Sequence, residues 1–422
     1  MKYPILLPLA LLACSHAVRA QEAAPVDFEK SVIVPAADLL GPAALRGTTY
    51  RVRDAAATDG YRAYFKVDTD FGTFDAIGVP QARQRIAEVE AIRKLVETSK
   101  SDLFAEGLKR SVEQPIAAVK NIVTNPVDTV KQAPKTVGHF FGKVGSAVGR
   151  GVENVAERAS GNGPSSSAGE TASAIGHAAR SAAGFDKAKL DTAKQLGVDP
   201  YSDNSRLQEE MDKVTWAFFA GGLPLRIGAA AASAGLALTA TTMAGIPEDV
   251  YALTPSELAL RDSKSLAAMG VSEEATKAFQ IHRALSVTRR HRIVTLLDCF
   301  PKAQGRAAIV ALANSCTDAD QADFLIGALA ILAERQHSGA ADFASLQVLG
   351  RLPVATTTGG EMNVPAPVDH VTWTEEVAGF AQRDDLGTAP KVLVHTGSLS
   401  PAATGHLQAG GWKLEAVRYP AR

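Results

Sequence analysis

The sequence predicts an α+β protein, mostly α, built from several units. Three observations point there. Residues 50–53 and 61–67 alternate apolar and polar side chains, the period of half-buried strands. A long central stretch repeats its apolar residues at three and four, the period of amphipathic helices. From Leu352 onward strand-like and helix-like runs take turns, the order of a small α/β layer with parallel pairs. A chain of 422 residues exceeds one ordinary core, and 46% apolar with 21% charged residues marks it as globular rather than disordered. A net charge of −1 gives the molecule as a whole no pull toward nucleic acid.

Residues 1–20 read as a signal peptide. Lys2 supplies the positive start, residues 5–13 the apolar run, and Val18-Arg19-Ala20 a small-residue cleavage site before Gln21. Leu11-Leu12-Ala13-Cys14 gives a rival reading as a lipoprotein box with Cys14 as the lipidated residue, although the apolar run before it is short. Both readings export the chain, to the periplasm or beyond, with membrane association open. Cleavage at Ala20 leaves two cysteines, Cys299 and Cys316. An even pair in an oxidising compartment is expected to form a disulfide, with two free thiols as the alternative.

Residues 27–98 form the first folded unit. Thr58-Asp59-Gly60 is a turn signal, and Asp70-Phe71-Gly72 leads into a third short run at 73–77. Three strands alone are marginal and need a cover. The helix expected from near Pro80 supplies it, with Ile86, Val89, Ile92 and Val96 on one face.

Residues 103–160 carry an internal repeat of eleven residues. Leu108, Val119, Val130, Phe141 and Val152 occupy one column, and Lys109, Lys120 and Lys131 the next. Eleven residues over three turns is about 3.67 per turn, so an α-helical stripe keeps nearly one face. Pro115, Pro126 and Pro134 break it into kinked helices. Residues 161–173 are a Gly/Ser-rich linker.

Residues 174–340 read as an all-α domain. Ser205 with Gln208 opens one helix, and Thr254-Pro255-Ser256-Glu257 opens another with a cap, a proline and a glutamate in their favoured places. Gly270 stops a helix and Ser272 restarts one. Further helices are expected over 278–285, 290–300, 303–315 and 319–336, the last with Phe324, Leu325, Leu329 and Leu332 on its apolar face. Residues 214–247 carry one charge, Arg226. Their alanine- and glycine-rich composition favours a buried helix, with a membrane span as the alternative. Residues 350–422 form the α/β unit. A hairpin turns at Gly359-Gly360, strands follow near 368–373, 391–395 and 412–417, and helices over 375–381 and 401–408.

The repeat is the best functional candidate. Between residues 108 and 150 stand Lys109, Arg110, Lys120, Lys131, Lys135, Lys143 and Arg150 against Glu113 and Asp128, with Phe140 and Phe141 among them. A basic amphipathic segment of this kind lies in a membrane interface with its cations toward anionic headgroups. Its rhythm, broken by prolines, resembles the exchangeable apolipoproteins, a likeness of pattern and not of kinship. The repeat is therefore expected to bind a lipid surface or an envelope protein, through Lys109, Lys120, Lys131, Phe140, Phe141 and Lys143. Packing of its stripe on the chain's own core is the structural alternative.

A second reading places a small ligand, or an enzyme site, in the C-terminal layer. A strand ends in the turn Thr396-Gly397-Ser398, and a helix starts at Ser400, so backbone N–H groups there could hold an anion. An ordinary strand-to-helix turn is the competing description. Ser398 with His395 or His370 and Asp369 or Glu375 has the residue types of a hydrolase, without the Gly-x-Ser-x-Gly elbow. A third reading inserts residues 214–246 into a membrane. No cofactor motif appears, and His282 and His291 lack metal-ligand spacing, so neither cofactor nor metal is expected. Arg289-Arg290-His291-Arg292 is expected to begin a helix and face water.

Overall fold

The structure, a computed structural model, describes residues 28–113, 184–225, 227 and 245–420. The signal peptide, the repeat beyond residue 113, the linker and residues 228–244 lie outside the described residues. The chain is α+β and mostly helical, as its patterning predicts.

The N-terminal sheet contains β1 (Ile33–Pro35), β2 (Tyr50–Val52), β3 (Ala55–Thr58), β4 (Ala63–Thr69) and β5 (Gly72–Ile77), with the short helix α1 (Ala36–Leu40) after β1. β4 is its centre. β5 runs antiparallel along one edge, from Tyr64↔Ile77 to Thr69↔Gly72, and β3 and β2 share the other. Ala63, Phe65 and Val67 point inward while Tyr64 and Lys66 point out, the alternation read from the sequence. Val79, Ala82, Ile86 and Val89 of α2 (Gly78–Thr98) cover the inner face.

α2 spans 21 residues, about 30 Å. Its second half enters a different core. Ala91, Ile92 and Leu95 meet Phe104 of α3 (Asp102–Glu113), Ala193 of α4 (184–196), and Leu207, Met211, Val214 and Phe218 of α5 (Ser205–Ala220). One helix thus serves two cores. Asn204, not Ser205, caps α5: its Oδ1 accepts the Leu207 N–H at 3.2 Å. Val214, Ala217, Phe218 and Ala220 form the buried side of its C-terminal half. Among the described residues no helix is long and apolar enough to cross a membrane.

α6 (Asp249–Ala252) precedes α7 (Pro255–Ala268), which begins with the expected capping box of Thr254 and Glu257. Ser272 caps α8 (Glu273–Gln280) and Ser286 caps α9 (Val287–Asp298). After α10 (Arg306–Asn314), Asp318 caps α11 (Ala319–His337). α11 is buried nearly all round, through Leu325, Ile326, Leu329, Ile331 and Leu332. It packs on α9 and also on the C-terminal sheet, so its apolar surface is wider than a single stripe.

That sheet has the order β12-β10-β8-β7-β6. β6 (Phe343–Leu349), β7 (Leu352–Thr357) and β8 (Met362–Ala366) are antiparallel. β8, β10 (Lys391–His395) and β12 (Trp412–Ala416) are parallel, joined through α12 (Glu375–Ala381) and α13 (Pro401–Ala409). β6 escapes the sequence pattern because its register shifts between Phe343 and Ser345, so Phe343 and Leu346 bury at a spacing of three. Phe343, Leu346 and Ala355 share one core with α7–α11, which joins the helices and the sheet. The strand expected at 368–373 shortens to β9 (His370–Val371), which pairs in parallel with β11 (Ser398–Leu399) as a ribbon of its own.

The expected disulfide is not formed. Among the described residues Cys299, exposed, and Cys316, buried, are not bonded to one another. Each turns back on its own helical turn, Cys299 Sγ to the Thr295 carbonyl at 3.6 Å and Cys316 Sγ to the Leu312 carbonyl at 3.7 Å.

The ends of the chain are sewn together at Asp369. This carboxylate is 1% exposed. Its Oδ2 accepts the Ala63 N–H at 2.9 Å, and its Oδ1 accepts the Val79 N–H at 3.0 Å and the Tyr419 hydroxyl at 2.7 Å. Val79 lies in the first turn of α2, whose N-cap residue Ile77 offers no side chain to cap it. Asp369 therefore supplies both a hydrogen bond and a negative charge at that helix start from 290 residues away. The neighbouring backbone adds to it: Asp369 N–H bonds the Tyr61 carbonyl and Thr372 N–H the Gly60 carbonyl, both at 2.9 Å. Gly60 has φ +105, and a β-carbon there would press on Thr374. Replacing Asp369 with Ala orphans two buried N–H groups at roughly 1–3 kcal/mol each. A loss of about 2–6 kcal/mol is expected in urea unfolding, whereas Tyr419→Phe loses only about 1 kcal/mol.

Candidate functional site

The turn Thr396-Gly397-Ser398 is packed against backbone. Thr396 N–H bonds the Ala366 carbonyl and Ser398 N–H the Asp369 carbonyl, both at 3.2 Å, and the Thr396 hydroxyl donates to the Val368 carbonyl at 2.8 Å. A β-carbon on Gly397 would collide with the Asp369 carbonyl. At the following helix start, the Glu29 carboxylate accepts from the Ser400 hydroxyl and from the Trp373 N–H at 2.6 Å. The place where an anion was expected thus already faces a carboxylate of the chain itself.

The hydrolase residues are brought together only in part. His370 Nδ1 lies 2.8 Å from Ser398 Oγ across the β9–β11 pair. Asp369 is turned the other way, to Ala63, Val79 and Tyr419. His395 is buried, its Nδ1 2.7 Å from the Gly397 carbonyl, and burial holds its pKa below the ordinary histidine value. Glu375 is exposed at the start of α12.

Of the repeat residues, Lys109 is described; Lys120, Lys131, Phe140, Phe141 and Lys143 lie outside the described residues. α3 opens the repeat with Phe104 and Gly107 buried. Gly107 packs so closely on the Ala217 carbonyl of α5 that a β-carbon would overlap it. Lys109, Arg110 and Leu103 are on the exposed side.

The cavities lie elsewhere, where the N-terminal unit, the helices and the sheet meet. The first is a polar chamber of about 500 Å³. A chain of charges runs through its wall. Arg85 bridges Glu88 at 2.7 Å and Asp203 at 2.5 Å, and Arg289 bridges Asp203 at 3.2 Å and grips both oxygens of Asp323 at 2.8 Å. Ser202 and Asn204 complete Glu88 at 2.5 and 2.9 Å. Burial alone would raise Asp203, but Arg85 and Arg289 outweigh it and hold its carboxyl below the usual range.

Two charged groups on the same chamber stand outside this chain. Among the described residues Asp199 accepts only at Oδ1, from the Thr288 hydroxyl at 2.6 Å and the Tyr201 N–H at 2.9 Å. Burial pushes its pKa up to about 6, against the pull of those two donors. Arg292 makes no hydrogen bond or ion pair with a described residue, and burial lowers its pKa. The run Arg289–Arg292 accordingly does not face water as expected: Arg289 and Arg292 reach the chamber, and His291 is buried with Nδ1 2.7 Å from Asp262. Successive helical residues stand about 100° apart, so four charged residues in a row necessarily turn some inward. That geometry was the one signal of this site in the sequence.

The second chamber, about 730 Å³, lies between α11 and the β8–β10 strands. Val364, Val368, Val371, Leu393 and Leu407 wall it, with Phe324 and Phe380 beside them. Arg62, Ile77 and Phe324 line both chambers and separate the polar one from the apolar one. Among the described residues no three His, Cys, Asp or Glu side chains gather as a metal would need. Comparison with protein families, with curated proteins and with solved structures finds no match for this chain.

The raised Asp199 gives a stability prediction. The folded state binds its proton more tightly than the unfolded chain does, so this group's contribution falls as pH rises from about 4 to 6. Asp199→Asn keeps the acceptor for Thr288 and Tyr201 but never ionises. Urea unfolding of both proteins should show no gain near pH 4 and a gain of up to about 3 kcal/mol at pH 8, from two units at ~1.36 kcal/mol each.

Proposed function

We propose that this chain is an exported, non-enzymatic binding protein. It takes a small apolar molecule into the chamber between α11 and β8–β10, and it meets an anionic lipid surface through its basic repeat. The apolar chamber carries the reading. Well-packed interiors leave few voids larger than a water molecule. A chamber of about 730 Å³ among apolar side chains is instead the size of a small-molecule site, commonly ~300–1,000 Å³. Its rim is amphipathic, with Tyr61 and Tyr64 exposed and Arg62, Arg351 and Arg383 nearby. Burial raises the Cys316 thiol on its wall, which keeps that sulfur in the protonated, poorly nucleophilic form.

Ala366 and Val377 line the chamber and are half-buried at the edge of the core, so a larger side chain at either position takes up chamber space. Titration with the fluorescent probe N-phenyl-1-naphthylamine should saturate with the natural chain. Ala366→Phe and Val377→Phe should each weaken it by about tenfold or more while keeping cooperative unfolding. No saturable binding, or the same affinity in both variants, overturns the chamber as the site.

The surface half of the reading rests on the repeat, seven cations against two acids between residues 108 and 150. Vesicles of phosphatidylglycerol and phosphatidylcholine should sediment the full chain at low salt and release it at high salt. A chain lacking residues 114–160 should stay in the supernatant; equal sedimentation of the two removes the repeat from the function.

A further inference from the structure

Arg292 and Asp199 present an unusual pair on the polar chamber. Arg85 and Arg289 each hold two carboxylates, whereas Arg292, half-buried on the same chamber, holds none among the described residues. A guanidinium stays charged and carries five N–H donors. Half-buried on the chamber wall and without an acceptor among the described residues, it keeps those donors open to a ligand. Gly245, at φ +113, lets the backbone approach that guanidinium so closely that any β-carbon would strike it. Asp199 mirrors the situation: two donors satisfy Oδ1, and among the described residues none reaches Oδ2. The two groups share the chamber and feel one another's charge, yet they form no ion pair. An anion alone would suit Arg292 and be repelled by Asp199. A cation alone would do the reverse. A ligand that carries both charges on neighbouring atoms satisfies both.

We propose that the polar chamber is a second binding site, for a zwitterion of the α-amino-acid type, with its carboxylate on Arg292 and its ammonium on Asp199. The planar guanidinium fork matches a carboxylate with two parallel hydrogen bonds. The free Oδ2 of Asp199 accepts from an ammonium. A volume of about 500 Å³ leaves room for a side chain, and the Tyr201 ring lines the same wall. This site does not depend on the apolar chamber.

The pH dependence separates a zwitterion from a simple anion. Asp199 faces Glu88 from α2, Arg289 and Arg292 from α9, Tyr251 from α6, and Tyr201 on its own loop. Burial places the Asp199 carboxyl at about 6. Its protonation removes the partner of the ammonium and also the repulsion toward a lone anion. Affinity for an amino acid therefore falls below pH 6, and affinity for a lone carboxylate rises.

Isothermal titration of the full chain with the common L-amino acids, one at a time, tests this, with propionate and propylamine as controls. At least one amino acid should bind more tightly than either control at pH 7.5 and weaken about tenfold by pH 5. Arg292→Met should abolish that binding. It orphans no protein group, so the fold survives, which a thermal unfolding curve checks. Arg292→Lys should restore part of the affinity, and Asp199→Asn should lose the amino acid while gaining propionate. If no amino acid binds, if both variants bind as the natural chain does, or if propionate matches the amino acid and strengthens at low pH, the assignment is overturned. Retention of the naphthylamine probe in Arg292→Met shows that such a failure belongs to this site alone.

Discussion

A single buried carboxylate, on Asp369, governs how the two ends of this chain meet. A helix start exposes N–H groups that need acceptors, and the N-cap residue of α2, Ile77, has no side chain to supply one to Val79. A loop from the far side of the protein brings one. The same carboxylate takes the first N–H of β4 and the hydroxyl of Tyr419, so strand, helix and C-terminal tail converge on one group. Charge-assisted hydrogen bonds in a dry setting are directional and strong. They fix the angle between the N-terminal unit and the sheet, and with it the position of Arg62, Ile77 and Phe324 between the two chambers.

Much of the local architecture was legible. Alternation in β4, the capping box before α7, the glycine stop and serine restart around residue 270, and the parallel strands β10 and β12 all follow from side-chain period and cap chemistry. These are short-range rules, and they work where a segment has one buried face. β6 was not legible because a register shift breaks its period. The cap of α5 moved by one residue because Asn204 also serves Glu88, a partner 116 residues away.

The chambers were not legible for a related reason. Each is walled by residues from several distant segments, and no window of sequence contains the set. Residues 396–398 attracted notice as a glycine turn before a helix, but that turn's donors serve neighbouring backbone. Nothing in the sequence singles out Asp199, and Arg292 reads as the end of a surface run. Their meaning comes from the side chains packed around them. The pattern of ion pairs, in which Arg85 and Arg289 are fully engaged and Arg292 is not, exists only in three dimensions.

The long-range closure also constrains how the protein comes into being. Glu29 bonds Ser400 across 371 residues, and Ala63 and Val79 wait on a residue 306 and 290 positions later. Contacts this distant make loop closure costly and folding slow. As the chain emerges from the ribosome, the first sheet and α2 can form local pairs but cannot finish the helix start until Asp369 and then Tyr419 have appeared. The start of α2 is thus kept incomplete until a residue 290 positions later has been made.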